Sequence, residues 1–256
     1  MLGVIAGTGF YNWDLIENQK ETEISTPYGS AVVYLGDVKG TPVAFLPRHK
    51  KNHSLPPHKI NYRANIYALH KAGVKRLIAI NAVGSLDKSI GPGEIVLIDD
   101  FLDFTYDREH TFYDGENGKV GHADMSSCYC SDFQGLIKAS AAGIGLTLHT
   151  GGVYVATQGP RFETRAEIRA YGRLGGTVVG MTGVPECPLA VEMGICYAGL
   201  SYVTNYACGV AGSLNSEAIS KVIAENKEKL EALLQEITKN YTENRQCQCG
   251  IDECLL

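Results

Sequence analysis

Short apolar, β-branched runs alternate along this chain with stretches of helical periodicity, and this alternation restricts the fold more than any other feature. Val4–Ala6, Val43–Leu46, Arg76–Ile80, Glu94–Ile98, Gly152–Thr157, Thr177–Val179 and Tyr197–Thr204 read as strands. Ile60–Lys71, Ser131–Ala142, Thr164–Gly172 and Pro188–Met193 read as helices, with Gly73 as the stop of the first. The strongest helical pattern is the last: Ile219, Val222, Ile223, Leu230, Leu233, Leu234 and Ile237 recur on one face, with Ser216 as a plausible N-cap. That helix reads simply as a cover for the core. The pattern predicts an α/β fold: a single domain with a mixed, largely parallel central sheet flanked by helices. In such sheets, ligands bind at the carboxyl ends of strands.

The chain has 256 residues, of which 45% are hydrophobic and 20% charged, enough apolar material for one full core without disorder. Runs such as Leu77–Ile80 and Ile95–Ile98 are far shorter than the roughly 18–20 residues of a membrane span. The start, Met-Leu-Gly-Val-Ile-Ala-Gly, carries no basic leader pattern, so a cytoplasmic location is expected. A net charge of −5 argues against nucleic acid or anionic membranes as partners. Any anion bound here must be held by local cations and backbone amides.

Eight cysteines are many for such a chain. Cys128 and Cys130 form one C-x-C and Cys247 and Cys249 another, while Cys187, Cys196, Cys208 and Cys254 stand singly. Zinc sites more often use C-x2–4-C pairs, so this spacing argues weakly for metal, and no metal is expected. Cys187, Cys196 and Cys208 read as buried small hydrophobes. The C-terminal C-x-C leaves a structural or redox disulfide open. It sits in a tail, residues 242–256, that follows the domain of residues 1–241.

Several predicted strands end in small or polar residues: Gly7-Thr8-Gly9, Arg48-His49, Asn81-Ala82, Gln158–Glu163, Met181-Thr182 and Asn205. Gly7-Thr8-Gly9 can bring backbone amides and a hydroxyl to a phosphate, or be a plain tight turn. The dinucleotide fingerprint fails, because Asn12 occupies its third glycine position, which disfavours a nicotinamide-dependent dehydrogenase. Arg48 and His49, among Lys50, Lys51, His53 and His58, form a local cationic patch; Arg48 can hold phosphate through two parallel hydrogen bonds. Glu163 follows Phe162, so that an aromatic ring could pack on a flat ligand while the carboxylate bonds its edge. Alternatively, Glu163 is an acid at a helix N-terminus. The polar stretch Tyr106–Ser127 reads as a long functional loop. Neither G-x-S-x-G nor H-E-x-x-H occurs.

These segments, as a set, resemble the trimeric class of purine nucleoside phosphorylases, in the branch with methylthioadenosine, methylthioinosine and 6-oxopurine enzymes. The resemblance runs from Gly3 to about Tyr241. It rests on Ile5-Ala-Gly-Thr-Gly-Phe10, Thr26-Pro-Tyr-Gly29, Arg48-His49, Asn61-Tyr-Arg-Ala-Asn65, Asn81-Ala-Val-Gly-Ser85, Thr157-Gln-Gly-Pro-Arg-Phe-Glu163, Gly180-Met-Thr182, Val184-Pro-Glu186 and Val203-Thr-Asn205. It implies a phosphate site at Thr8, Arg48, His49, Asn81, Ala82 and Thr182. It implies a ribose contact at the Met181 backbone, and purine contacts at Phe162, Glu163, Asn205, Tyr206 and Ala207. His122 would reach the 5′ end of a nucleoside in a neighbouring subunit. Catalysis would fall to Asn205, Glu163 and His49. The implied assembly is a homotrimer or a dimer of trimers. Phosphate is a co-substrate, with no further cofactor expected.

The implied chemistry suits these residues. Phosphorolysis breaks the N9–C1′ bond through a ribosyl group with oxocarbenium character, with phosphate as nucleophile. An ionised Glu163 accepts, which matches the N1–H of a 6-oxopurine, and the Asn205 amide can donate to O6. Adenine would leave acceptor facing acceptor, a penalty of about 1–3 kcal/mol per unpaired buried group. Adenine-using members of the family carry Ser, Asp and Asp at the positions of Glu163, Asn205 and Ala207, and this chain departs at all three. The expectation is therefore phosphorolysis of inosine, guanosine or S-methyl-5′-thioinosine. An S-methyl-5′-thioadenosine phosphorylase, a hydrolase-like relative using water and a non-catalytic nucleoside-binding protein are the alternatives. Gly209–Ala218, with its small Gly209, Ala211, Gly212 and Ser213, leaves the 5′ group undecided.

Overall fold

The computed structural model describes residues 1–50, 54–116, 118–212 and 214–250; Lys51, His53, Ser213 and Cys254, raised above, lie outside them. Nine strands are described: β1 (Leu2–Ala6), β2 (Glu17–Thr26), β3 (Gly29–Val38), β4 (Thr41–Pro47), β5 (Arg76–Ser85), β6 (Ile95–Phe104), β7 (His149–Thr157), β8 (Val178–Gly180) and β9 (Cys196–Tyr206). The helices are α1 (Tyr62–Lys71), α2 (Ser131–Gly143), α3 (Arg165–Arg173), α4 (Gly183–Glu192) and α5 (Ser216–Lys239). Among the described residues no helix is long and apolar enough to cross a membrane.

All nine strands join one mixed sheet in the order β2-β3-β4-β1-β5-β8-β7-β6-β9. β9 also pairs with β5, so the strands from β5 to β9 close into a ring. β1 pairs in parallel with β4 and β5, and β5–β9, β6–β7 and β7–β8 are parallel too. β2–β3, β3–β4, β5–β8 and β6–β9 are antiparallel. The mixed α/β architecture expected from the alternation is thus observed.

Period-2 alternation assigns each strand residue to one of two core layers. Leu77, Ala79, Tyr197 and Val203 face the layer under α1 and α4. Ile78, Ile80, Ala198 and Leu200 face the layer under α2 and α5. α3 covers a smaller cluster with Ile168 and Tyr171 against Val155 and Val179.

The sequence reading misses strands β2 and β3 and cuts β5, β6 and α4 short. β2 (ENQKETEIST) is polar and mostly exposed with no buried stripe, and β3 buries only Ala31, Val33 and Val38, so the hairpin carries a weak signal. β5 runs five residues beyond Ile80 and includes Asn81–Ser85, because these residues pair with β9. Two caps also differ. Asn215, not Ser216, caps α5, accepting from the amides of Glu217 and Ala218. Thr164 caps α3 in a capping box with Glu167, so Glu167 and not Glu163 is the N-terminal acid of that helix.

Candidate active site

A cavity of about 480 Å³ opens where β1, β4, β5, β7, β8 and β9 end or curl. Ten of the residues expected to bind ligand line it: Thr8, Arg48, His49, Ala82, Phe162, Glu163, Met181, Thr182, Asn205 and Ala207. They come from six separate chain segments, as the strand-end pattern required.

One side is cationic. Arg48 is buried, and burial alone would weaken its charge, but the Glu186 carboxylate beside it outweighs this and keeps the guanidinium protonated. Nε donates to Glu186 Oε1 and Nη2 to Oε2 at 2.9 Å. Nη1 also donates to Ile80 O at 3.0 Å and Nη2 to Ile5 O at 3.4 Å. The paired fork therefore grips Glu186 rather than an incoming phosphate, and of five N–H donors one on Nη1 is left over. Tyr197 OH donates to Glu186 as well, at 3.2 Å.

His49 is fixed in orientation, since its Nδ1 lies 2.7 Å from Leu55 O, which can only accept. Nδ1 carries the hydrogen, and Nε2 faces the β1 turn. A Cβ at Gly7 would come to 3.0 Å from Arg48 Nη1 and 3.1 Å from His49 Nε2, so the missing side chain of glycine lets the turn lie close against both. Gly9 has φ +80°, and a Cβ there would meet Ile223 Cγ2 at 2.0 Å. Among the described residues of the wider patch, Lys50 is exposed and His58 lines a separate hollow with Tyr28, Arg63 and Asp107.

Thr182 Oγ1 donates to Asn81 Oδ1 at 3.1 Å, and Thr182 N to Tyr154 OH at 3.2 Å. Asn81 is buried and acts on the cavity through Thr182 instead of lining it.

The opposite side is built for a flat polar edge. Glu163 is 8% exposed, and Thr157 Oγ1 donates to its Oε1 at 2.7 Å. Oε2 has no partner among the described residues. Asn205 Nδ2 donates to Tyr206 O at 2.9 Å, which fixes the amide orientation because a carbonyl cannot donate. Oδ1 then accepts from Thr204 Oγ1 at 2.7 Å. One N–H and one lone pair remain on the Asn205 amide. Tyr206 thus contributes its backbone carbonyl to that arrangement; its hydroxyl donates to Lys88 O at 3.2 Å, and Tyr206 is not among the residues lining the cavity. Phe162 is exposed at the cavity rim. His122 is exposed on its loop and does not line the cavity of its own chain.

Two features were missed. Arg108, from the long polar loop, donates from Nη1 to Met181 O (2.9 Å) and Val184 O (2.6 Å) and from Nη2 to Gln158 O (2.9 Å). It brackets the strand ends that carry Met181 and Glu163. The other is α5, whose first turns do more than cover the core: with Leu214, Ile219 and Ile223 form an apolar wall of the cavity. No single position in the sequence marked either. Among the described residues, the grouping of metal-ligating side chains lies outside this cavity.

Comparison with known proteins is consistent across the whole chain. A family model described as the phosphorylase superfamily matches residues 1–239. The chain is 44% identical over 259 residues to an S-methyl-5′-thioadenosine phosphorylase of Thermofilum pendens, covering 100% of this chain and 98% of that protein. It is 44% identical over 254 residues to a 6-oxopurine nucleoside phosphorylase of Pyrococcus furiosus, covering 97% and 96%. A methylthioadenosine phosphorylase from an antarctic soil metagenomic library superposes with a TM-score of 0.92 at 29% identity, covering 100% of this chain and 92% of the other. The Schistosoma mansoni methylthioadenosine phosphorylase in complex with adenine superposes with a TM-score of 0.90 at 29% identity, covering 93% and 91%.

Proposed function

The chain belongs to the phosphorylase superfamily, and from that membership as a nucleoside phosphorylase we propose that its substrates are 6-oxopurine nucleosides. One observation carries the base assignment. The unpartnered Oε2 of Glu163 is an acceptor for N1–H, and the Asn205 amide keeps one donor for O6 and one acceptor for a proton at N7. Adenine offers the opposite edge at N1 and N6.

In this reading phosphate lies between Thr8, the remaining Nη1–H of Arg48, His49 Nε2, the Ala82 backbone and Thr182. Asn81 orients Thr182. The nucleoside lies across it, with the Met181 backbone at the ribose and Phe162, Glu163, Asn205 and Ala207 around the purine. As the N9–C1′ bond breaks, a phosphate oxygen forms the new bond to C1′. The electron pair left on N9 spreads into the purine; the Asn205 N–H stabilises the charge at O6, and once N7 takes up a proton from solvent, Asn205 Oδ1 accepts from N7–H and the base leaves neutral. No covalent enzyme intermediate and no cofactor enter; the products are a free base and a ribose 1-phosphate. A homotrimer, singly or paired, would bring a neighbour's His122 to the 5′ end.

The second reading is phosphorolysis of S-methyl-5′-thioadenosine, the activity named for the Thermofilum relative. The apolar wall of Leu214, Ile219 and Ile223 suits a 5′-methylthio group. In this reading the wall meets the 5′ end and not the base, so it suits S-methyl-5′-thioinosine equally. Base release from inosine, S-methyl-5′-thioinosine and S-methyl-5′-thioadenosine, each with and without phosphate, separates the readings. Phosphate-dependent hypoxanthine release with slow adenine release is expected. Fast adenine release would overturn the base assignment, and release without phosphate would overturn phosphorolysis.

A further inference from the structure

The C-x-C of the C-terminal tail does not close on itself: among the described residues Cys247 and Cys249 are free thiols, as are the other five described cysteines. The disulfide that the C-terminal C-x-C left open is not formed between these two residues. Instead, the Sγ atoms of Cys130, Cys196, Cys247 and Cys249 all lie within 4.8 Å of one another. Cys196 Sγ and Cys247 Sγ are 3.2 Å apart, well beyond the about 2.05 Å of a disulfide bond. Four thiols converge on one point, whereas two disulfides would draw them into separate pairs. A tetrahedral zinc thiolate centre, with Zn–S near 2.3 Å, needs sulfurs about 3.8 Å apart.

We propose that Cys130, Cys196, Cys247 and Cys249 form a structural zinc(II) site that clamps the tail to the core. Sequence spacing argues only weakly for metal, because zinc sites more often use C-x2–4-C pairs than C-x-C. The fold supplies two ligands beyond the C-x-C, one from the N-cap of α2 and one from the first residue of β9. An all-sulfur donor set selects a soft, tetrahedral dication over magnesium or calcium. Four protein ligands leave no open position, which makes the site structural and not catalytic.

Two donors face these sulfurs. Phe133 N, in the first turn of the thirteen-residue helix α2, donates to Cys130 Sγ at 3.5 Å. Arg245 Nη1 donates to Cys196 Sγ at 3.5 Å and to Gly194 O at 2.8 Å. A dication with four thiolates carries two net negative charges, and the helix N-terminus and Arg245 offset them. Arg76 holds the same tail by donating to Asn244 O at 3.0 Å. The site anchors the start of β9, whose far end carries Asn205 about 30 Å away at about 3.3 Å per residue. Metal loss should therefore loosen the tail and lower stability while leaving the reacting groups in place.

The test is metal content by mass spectrometry of tag-free protein purified under reducing conditions, followed by challenge with zinc chloride alone. About one zinc per chain is expected, with all eight thiols alkylated after denaturation and chelation. The Cys247→Ser/Cys249→Ser protein should hold less than a tenth of that zinc and melt at least about 5 °C lower. Its kcat/KM for inosine at 25 °C should stay within about twofold of wild type, as a site with no open coordination position predicts. Cys128→Ser, outside the cluster, should keep full zinc. Wild-type protein without zinc after the challenge would overturn the proposal whether or not the variant folds. So would an intact mass about 4 Da below the eight-thiol value, the mark of two disulfides. Neither readout depends on the substrate assignment.

Discussion

Arg48 and Glu186, 138 positions apart, meet in a two-pronged ion pair whose side chains are 1% and 0% exposed. The pair fixes the cationic side of the cavity, because Arg48 can present only the donor that Glu186, Ile80 and Ile5 leave over. Replacing Glu186 by Gln would strand a buried charge at a cost of about 3–5 kcal/mol. A melting temperature roughly 10 °C lower is expected, with a raised KM for phosphate. An Arg48→Met/Glu186→Leu protein should regain much of the stability but not the phosphate affinity. Thermal unfolding and phosphate-dependent kinetics check both, and unchanged melting of Glu186→Gln would refute the pair's role.

Base selectivity should follow the hydrogen-bond complement of three side chains. In Glu163→Ser/Asn205→Asp/Ala207→Asp, the ratio of kcat/KM for inosine over adenosine should fall by at least about tenfold, since each mismatched buried group costs about 1–3 kcal/mol. An unchanged ratio would sink the argument from donors and acceptors.

Thr157 positions Glu163 by donating its single hydroxyl proton to Oε1 at 2.7 Å. Thr157→Val keeps the shape and deletes that bond, worth about 1 kcal/mol. We expect roughly a fivefold loss in kcat/KM for inosine with the phosphate KM unchanged. A purely structural role would move the two together.

Glu192 is buried under the polar loop, where it accepts from Phe112 N and Thr111 Oγ1, both at 2.7 Å. Burial pushes its carboxyl above the usual 4.5, outweighing those hydrogen bonds. A carboxyl raised on folding binds its proton more tightly in the native state. Its stabilising contribution is therefore complete below the unfolded value and lost as pH rises through the folded one. Glu192→Gln, which can accept from Phe112 and donate to Thr111, should gain stability relative to wild type between about pH 4 and neutrality. Urea unfolding of both proteins across that range checks it, and a constant or opposite difference would refute it.

Much of this site was legible before any coordinates because strands of a parallel-rich sheet deliver their carboxyl-terminal residues to one edge. Gly7–Gly9, Arg48-His49, Met181-Thr182 and Asn205 could be collected by that rule, and ten of the expected residues do line one cavity. The hairpin β2–β3 could not, since a polar edge strand leaves no buried stripe to read.

What the sequence by itself determined was local and periodic: which runs are strands, where they stop, which residue types stand at the stops, and the resemblance that those ordered motifs carry. What only the tertiary structure decided was how side chains are shared. It directed the fork of Arg48 to Glu186, Asn81 to Thr182, the Asn205 amide to the Tyr206 carbonyl, and α5 to the cavity as well as the core. It also brought Cys130 and Cys196 to Cys247 and Cys249. Periodicity reports which way one element faces. A hydrogen bond or a ligand set depends on atoms a few ångströms apart and often more than a hundred residues apart in sequence, and only closure of the sheet sets those distances.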